Sequence, residues 1–152
     1  MSTQELLSMK VQSVMNTDLF TVQPDTILKE ANIIFERELI HHLPVISDTG
    51  QFLGIISKSD ILLLMDWGTK LKLPSSLRKN TFLLTSNLVQ DIMESNVIVV
   101  SPEDSLGKCV QIFKENYFHA LPVIDIQGKL VGLITTYDLM ILAYHEIPKL
   151  EA

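Results

Sequence analysis

The apolar residues change their spacing several times along the chain, and each change marks an element. Ile27, Ala31, Ile34 and Phe35 recur at helical intervals behind Thr26, which predicts a helix capped by Thr26 and running to about Leu39. A compact apolar run follows, Leu43-Pro44-Val45-Ile46. The residue before a proline is held extended, so a strand starts here. Asp48-Thr49-Gly50 reads as a hairpin turn with Gly50 at positive φ, and Phe52–Ile56 returns as a second strand. Ser57-Lys58-Ser59-Asp60 then opens a helix from Ile61 to about Met65. Upstream, Ser2 and Glu5 have capping-box spacing at the head of a short helix over Met1–Met9. Val11–Met15 reads as another helical piece, and Leu19–Val22 as an extended segment ending at Pro24.

The same succession returns 78 residues later, the distance from Val11 to Val89. Val89-Gln90-Asp91-Ile92-Met93 matches Val11–Met15, Pro102 matches Pro24, and Ile112-Phe113 match Ile34-Phe35. His119 matches His41, Leu121–Ile124 match Leu43–Ile46, and Gly128, Gly132 and Asp138 match Gly50, Gly54 and Asp60. About 18 of 54 positions are identical without a gap. The identities fall on turns, strands and caps, where backbone geometry restricts the choice of residue most. The chain is therefore a duplication of a helix–strand–helix–strand–strand–helix unit, with a period too long for a solenoid. The expected division is an N-terminal helix (1–10), a first unit (11–65), a linker (66–88), a second unit (89–145) and a tail (146–152).

Composition narrows the class. The 152 residues are 47% hydrophobic, which suits a globular chain rather than a disordered one. A net charge of −6 argues against a general nucleic-acid binder, which needs a basic stripe. The single cysteine, Cys109, has no partner for a disulfide or a thiolate metal site and falls on an apolar helix face, where it acts as a small hydrophobe. No apolar run reaches the length of a membrane span, and Met1–Lys10 lacks the features of a signal peptide, so the expected location is cytoplasmic. The linker interleaves Trp67, Leu71, Leu73, Leu77, Phe82, Leu83 and Leu84 with Lys70, Lys72, Arg78 and Lys79. Such a stretch suits a membrane surface or a partner helix, or it covers the two units or a dimer contact. Pro74 and two serines are expected to interrupt a long amphipathic helix, which favours the second reading. The C-terminal helix from Leu139 is expected to be limited by Pro148.

The ordered set of extended segment, P-D/E, helix, H-x-L-P-V, hairpin glycine and G-x-[IL]-[ST]-x-x-D occurs twice, over Val11–Leu64 and Val89–Leu142. This pattern resembles the cystathionine-β-synthase (CBS) domain, and the tandem resembles a CBS pair, or Bateman module. The resemblance implies a mixed α+β fold: two tandem units of short sheet plus helices, packed with pseudo-twofold symmetry. It implies a stand-alone module that binds an adenosine nucleotide or S-adenosylmethionine in clefts between the units, forms a homodimer, and regulates a protein partner. The sequence itself requires no metal, and no nucleic-acid or membrane partner is expected.

Asp60 and Asp138 head helices, where a carboxylate serves as a plain cap; by the resemblance it also accepts the two ribose hydroxyls, two acceptors for two donors. Ser57, Ser59, Thr135 and Thr136 are turn and capping hydroxyls, and by the resemblance phosphate contacts, to which Lys58 adds a cation. Tyr137 replaces Ser59, a departure that brings a phenol in place of a small hydroxyl. His41 and His42 form a basic pair before the first strand, whereas His119 is followed by Ala120. No arginine stands at these positions, so a monophosphate or a less charged adenosyl ligand is easier to accommodate than a triphosphate. Thr21-Val22 and Val99-Val100 are core strand residues whose backbone, by the resemblance, reads the adenine edge. The implied pairing sets Asp60 with Val99-Val100 and Asp138 with Thr21-Val22.

Two function classes follow. One is a regulatory, non-catalytic ligand-binding module. The other is a structural or interaction module whose clefts are filled by side chains such as Tyr137. An enzyme is disfavoured: the chain has no phosphate-binding G-x-x-x-x-G-K-[ST] loop, no H-E-x-x-H and no nucleophile elbow.

Overall fold

Both Leu-Pro-Val runs become the inner strands of hairpins. In the computed structural model, which describes residues 1–65, 73–116 and 118–146, β1 (His42–Ile46) pairs antiparallel with β2 (Phe52–Ser57). In the second copy, β3 (Ala120–Ile124) pairs antiparallel with β4 (Leu130–Thr135). The turns need the left-handed backbone, and glycine supplies it: Gly50 has φ 84° and Gly128 φ 82°. Each hairpin gains one parallel bridge from the extended segment of its own copy. Val22 N–H donates to the Pro44 carbonyl (3.1 Å), and Ile46 N–H donates to the Val22 carbonyl (2.9 Å). Val100 repeats this with Pro122 (3.0 Å) and Ile124 (2.9 Å). Proline is tolerated in both inner strands because its carbonyl alone is used on that side.

The chain forms two compact units, Phe20–Val97 and Met1–Leu19 with Ile98–Ala152. Their boundaries cross the sequence repeat: the V-Q-x-x-M piece of each copy is built into the other copy's unit. Glu94 and Ile55 exchange both backbone bonds, each 2.9 Å. Asn16 and Leu133 do the same at 2.9 and 3.0 Å. Val89 thereby joins the core of Val22, Leu28, Ala31, Phe35, Leu43, Val45, Ile56 and Ile61. Val11 joins that of Val100, Leu106, Cys109, Phe113, Leu121, Val123 and Ile134. The two cores repeat each other at eight positions, with Cys109 standing where the first unit has Ala31, while the equivalent of Ile61, Leu139, is only partly buried against the second core. Burying such side chains is worth roughly 1.5–3 kcal/mol for each large aliphatic or aromatic one.

The helices are α1 (Thr3–Ser8), α2 (Leu28–Arg37), α3 (Lys58–Leu64), α4 (Pro74–Ser86), α5 (Val89–Ile92), α6 (Leu106–Asn116) and α7 (Thr136–Glu146), with a 3-10 turn at Val11–Ser13. The Ser2–Glu5 capping box of α1 is present, and α1 lies against α6. Four expectations need correction. Thr26 does not cap α2; its hydroxyl accepts the Gln23 N–H (3.0 Å), and the first amide of α2, Leu28, is satisfied by the Asn87 carbonyl (3.0 Å). The helix also ends at Arg37, short of Leu39. α3 begins at Lys58, one turn earlier than Ile61. Finally, Pro74 does not interrupt a helix. It sits at the first position of α4, where no amide donor is needed, and opens a helix of 13 residues. Ser76 and Asn80 are buried and α4 packs on α2, leaving Leu77 and Phe82 exposed beside Arg78 and Lys79. Trp67, Lys70, Leu71, Lys72 and Pro148 lie outside the described residues.

Candidate functional site

Both candidate aspartates sit in the turn between an outer strand and the helix that follows. The last residue of β2, Ser57, is the N-cap of α3, and Asp60 is at N3 rather than at the cap itself. Asp60 Oδ2 accepts from Ser57 N–H (2.7 Å) and from the Ser57 hydroxyl (2.7 Å), while Asp60 N–H donates back to Ser57 Oγ (3.1 Å). This is a reciprocal capping box, and it forms because S/T-x-x-D places an acceptor and a donor three residues apart. The second turn repeats it. Thr135 N–H and Oγ1 donate to Asp138 Oδ2 at 2.8 and 2.7 Å, and Asp138 N–H donates to Thr135 Oγ1 at 3.1 Å. The remaining oxygen, Oδ1, takes no bond from a described residue in either turn.

The boxes use up groups that the sequence reading assigned to phosphate. The Ser57 and Thr135 hydroxyls are committed to the aspartates. Lys58 N–H donates to the His41 carbonyl (2.9 Å) and Thr136 N–H to the His119 carbonyl (3.1 Å). These backbone bonds tie each histidine to its own turn. The His41 and His119 side chains are exposed, and His42 is half-buried in β1 opposite Ser57. Lys58 is half-buried and its ammonium has no hydrogen bond or ion pair among the described residues. Ser59 is exposed, and Tyr137 in its place is 64% exposed, so the phenol does not fill a space in its own unit.

Val22 and Val100 are buried, and both their backbone groups are spent on the inner strands. They have nothing left with which to read a base edge. Thr21 and Val99 alternate to the other side and make no backbone bond to a described residue. Phe20 and Ile98, at equivalent places in the two copies, are exposed apolar side chains beside them. The sequence reading missed this pair, although a large apolar residue directly before each of these segments was visible. Thr21, Val22, His41, His42, Ser57, Lys58, Ser59 and Asp60 belong to one unit. Val99, Val100, His119, Thr135, Thr136, Tyr137 and Asp138 belong to the other. Among the described residues no three His, Cys, Asp or Glu side chains are grouped as a metal site requires, and no helix is long and apolar enough to cross a membrane.

Residues 11–66 and 89–144 each match the CBS domain family. The chain belongs to that family. The CBS-pair protein CBSX2 of Arabidopsis thaliana is 27% identical, with a TM-score of 0.77 over 90% of this chain and 95% of that one. CBSX2 in complex with AMP matches at 27% identity and a TM-score of 0.74, over 90% of this chain and 97% of that one. A CBS domain-containing protein of Dictyostelium discoideum is 29% identical over 86% of this chain and 88% of its own length. A homoserine O-acetyltransferase of Methanosalsum zhilinae is 32% identical over 85% of this chain, which spans only 23% of that enzyme. Two antiparallel two-stranded sheets with mixed helices are thus the CBS-pair architecture in this chain. The family boundaries follow the sequence repeat, whereas the compact units exchange the segments around Val11 and Val89.

Proposed function

We propose that this chain is a non-catalytic regulatory module that binds an adenosine-containing ligand, an adenine nucleotide or S-adenosylmethionine, and signals to a protein partner. The observation that carries the reading is the half-used carboxylate, repeated in both turns. Oδ2 of Asp60 and Asp138 locks the helix start, and Oδ1 keeps its acceptor capacity. A rigid carboxylate with an open oxygen suits the vicinal hydroxyls of ribose. Thr21 and Val99 supply backbone donors and acceptors for a base edge, and Phe20 and Ile98 supply apolar surface against a ring. Lys58, Ser59, His41, His42, His119 and Thr136 are the phosphate-side candidates. The likeness to CBSX2, described in complex with AMP, supports the same ligand class. In this reading the module works as a homodimer in the cytoplasm.

A second reading has its own observation. Leu62 and Leu63 on α3, and Met140 and Tyr144 on α7, are exposed apolar side chains. These faces suit a structural or interaction module without a ligand. Isothermal titration of the full chain with AMP separates the two. Saturable binding that Asp60→Asn or Asp138→Asn removes supports the regulatory module, and no heat with AMP, ADP, ATP or S-adenosylmethionine supports the interaction module.

A further inference from the structure

We propose that the outer face of α4, formed by Arg78, Lys79 and Phe82, docks reversibly on an anionic lipid surface. The inference is independent of any ligand at the Asp turns. The sequence reading set a surface-binding helix aside because Pro74 should interrupt it, and Pro74 instead opens α4.

α4 packs on α2, and its buried residues are Ser76 and Asn80, four apart on one face, with Leu83 and Leu84 half-buried. Helical spacing puts Phe82 on the far side, where it is 67% exposed. Arg78 and Lys79, four and three residues before Phe82, lie one turn away on either side of it, and both are exposed. Arg78 makes no hydrogen bond or ion pair with a described residue. Leu73 and Leu77, also exposed, add apolar surface along the side of the helix. The exposed hydroxyls of this helix do not hold it in water. Thr81 Oγ1 donates to the Leu77 carbonyl (2.9 Å) and Thr85 Oγ1 to the Thr81 carbonyl (2.7 Å), so their donors are satisfied within the helix.

Charge decides what this face meets. In the sequence, residues 67–90 hold four of the chain's 12 Lys and Arg and none of its 18 Asp and Glu. The rest of the chain is strongly acidic, with eight basic residues against 18 acidic ones. An anionic surface therefore repels most of the molecule and attracts this stretch, which orients the approach and leaves it weak and salt-sensitive. Shape decides between a lipid surface and a partner helix. A partner helix seeks an apolar groove, whereas the outer side of a single helix is a convex ridge. A bilayer surface yields around such a ridge: the Phe82 ring enters the boundary between headgroups and acyl chains, and Arg78 and Lys79 meet the anionic headgroups.

The test is cosedimentation of the full chain with vesicles of phosphatidylcholine containing about one-third phosphatidylserine, and with vesicles of phosphatidylcholine alone. Wild type should bind the anionic vesicles about tenfold or more tightly than the neutral ones, and lose that preference as salt rises from about 0.1 M to about 1 M. Arg78→Gln combined with Lys79→Gln should weaken binding to the anionic vesicles about tenfold or more, and Phe82→Ser by a similar factor. All three side chains are exposed, so the variants should stay folded, which thermal unfolding checks. Lys114→Gln and Ile126→Ser remove an exposed cation and an exposed apolar side chain elsewhere, and should change binding by about twofold or less. The inference is overturned if wild type binds neither kind of vesicle or both alike, if the α4 variants bind as wild type does, or if the two control variants lose as much. It is also overturned if the α4 variants lower the mass of the protein in sedimentation without lipid, because the face is then a contact between copies.

Discussion

A β-carbon added to Gly54 would lie 2.6 Å from the backbone oxygen of Glu94. The contact exists because Glu94, from the second copy, exchanges two backbone hydrogen bonds with Ile55 of the first. Only glycine lets the exchanged segment come this close. The equivalent Gly132 faces the Met15 side chain instead, whose sulfur would crowd the added carbon. A thioether can move and a bonded backbone cannot. Gly54→Ala is expected to cost about 2–3 kcal/mol, and Gly132→Ala about 1 kcal/mol or less. Urea unfolding of the two variants measures the difference, and equal losses would contradict the asymmetry.

The two hairpin glycines act through their backbone. Gly50 has open space around the site of an added carbon, so its constraint is the positive φ alone. Gly50→Ala should destabilise by about 1 kcal/mol, and Gly50→Asn by less, because Asn tolerates the left-handed region better. Denaturant midpoints of the two variants give the order.

Cys109 is fully buried in the second core, and burial, helped by the nearby Asp104 charge, pushes its thiol up to about 11. The thiolate is the reactive form, so at pH 8 the native protein should resist alkylation by iodoacetamide, and protein unfolded in urea should react fully. Intact-mass spectrometry reads both. Ala31 occupies the equivalent place, so Cys109→Ala should fold, with a loss of about 1 kcal/mol for the missing sulfur.

Acid should act on the second unit through Asp104. Partial burial raises its carboxyl, but the Lys108 hydrogen bond (2.7 Å), the Ser101 N–H (2.8 Å) and the Lys108 charge outweigh this and hold it below the ordinary carboxylate value of 3.8. A carboxyl lowered in the folded state contributes stability that is fully present above its unfolded value. That stability is lost as pH falls through the folded value. Asp104→Asn should therefore lower stability at pH 6 and narrow the gap to wild type as pH drops below about 3.8. Thermal unfolding between pH 6 and 2.5 shows whether the gap closes; a constant gap would contradict the pairing.

Several elements were legible because they depend on a few local residues. Gly50 and Gly128 announce the hairpins, Pro44 and Pro122 the strand starts, and Ser2 with Glu5 the cap of α1. The duplication was legible because buried positions repeat: Leu28 with Leu106, Phe35 with Phe113, Leu43 with Leu121. The segment exchange was not, because V-Q-x-x-M is almost the same in both copies and Val11 or Val89 suits either core. Pro74 misled because the same residue that breaks a helix inside it starts one at its first turn. Thr26 misled because a hydroxyl before an apolar run can serve the preceding turn as well as the helix, and here it serves Gln23. At the candidate site, the spacing of Ser57 and Asp60 disclosed a cap. It could not disclose that Oδ2 alone is used, nor that the backbone of Val22 and Val100 is committed to β1 and β3.

Ligand binding by the half-used aspartates is tested most directly by the thermal stability of the full chain with and without AMP. Ligand at about 100 times its Kd should add about 2.7 kcal/mol. Asp60→Asn keeps an acceptor for the Ser57 amide but removes the charge and one carboxylate oxygen, and Asp138→Asn does the same at Thr135. The double variant should stay folded and lose the AMP shift. An unchanged shift in the double variant, or no shift in wild type with AMP, ADP, ATP or S-adenosylmethionine, would contradict adenosyl binding at these turns.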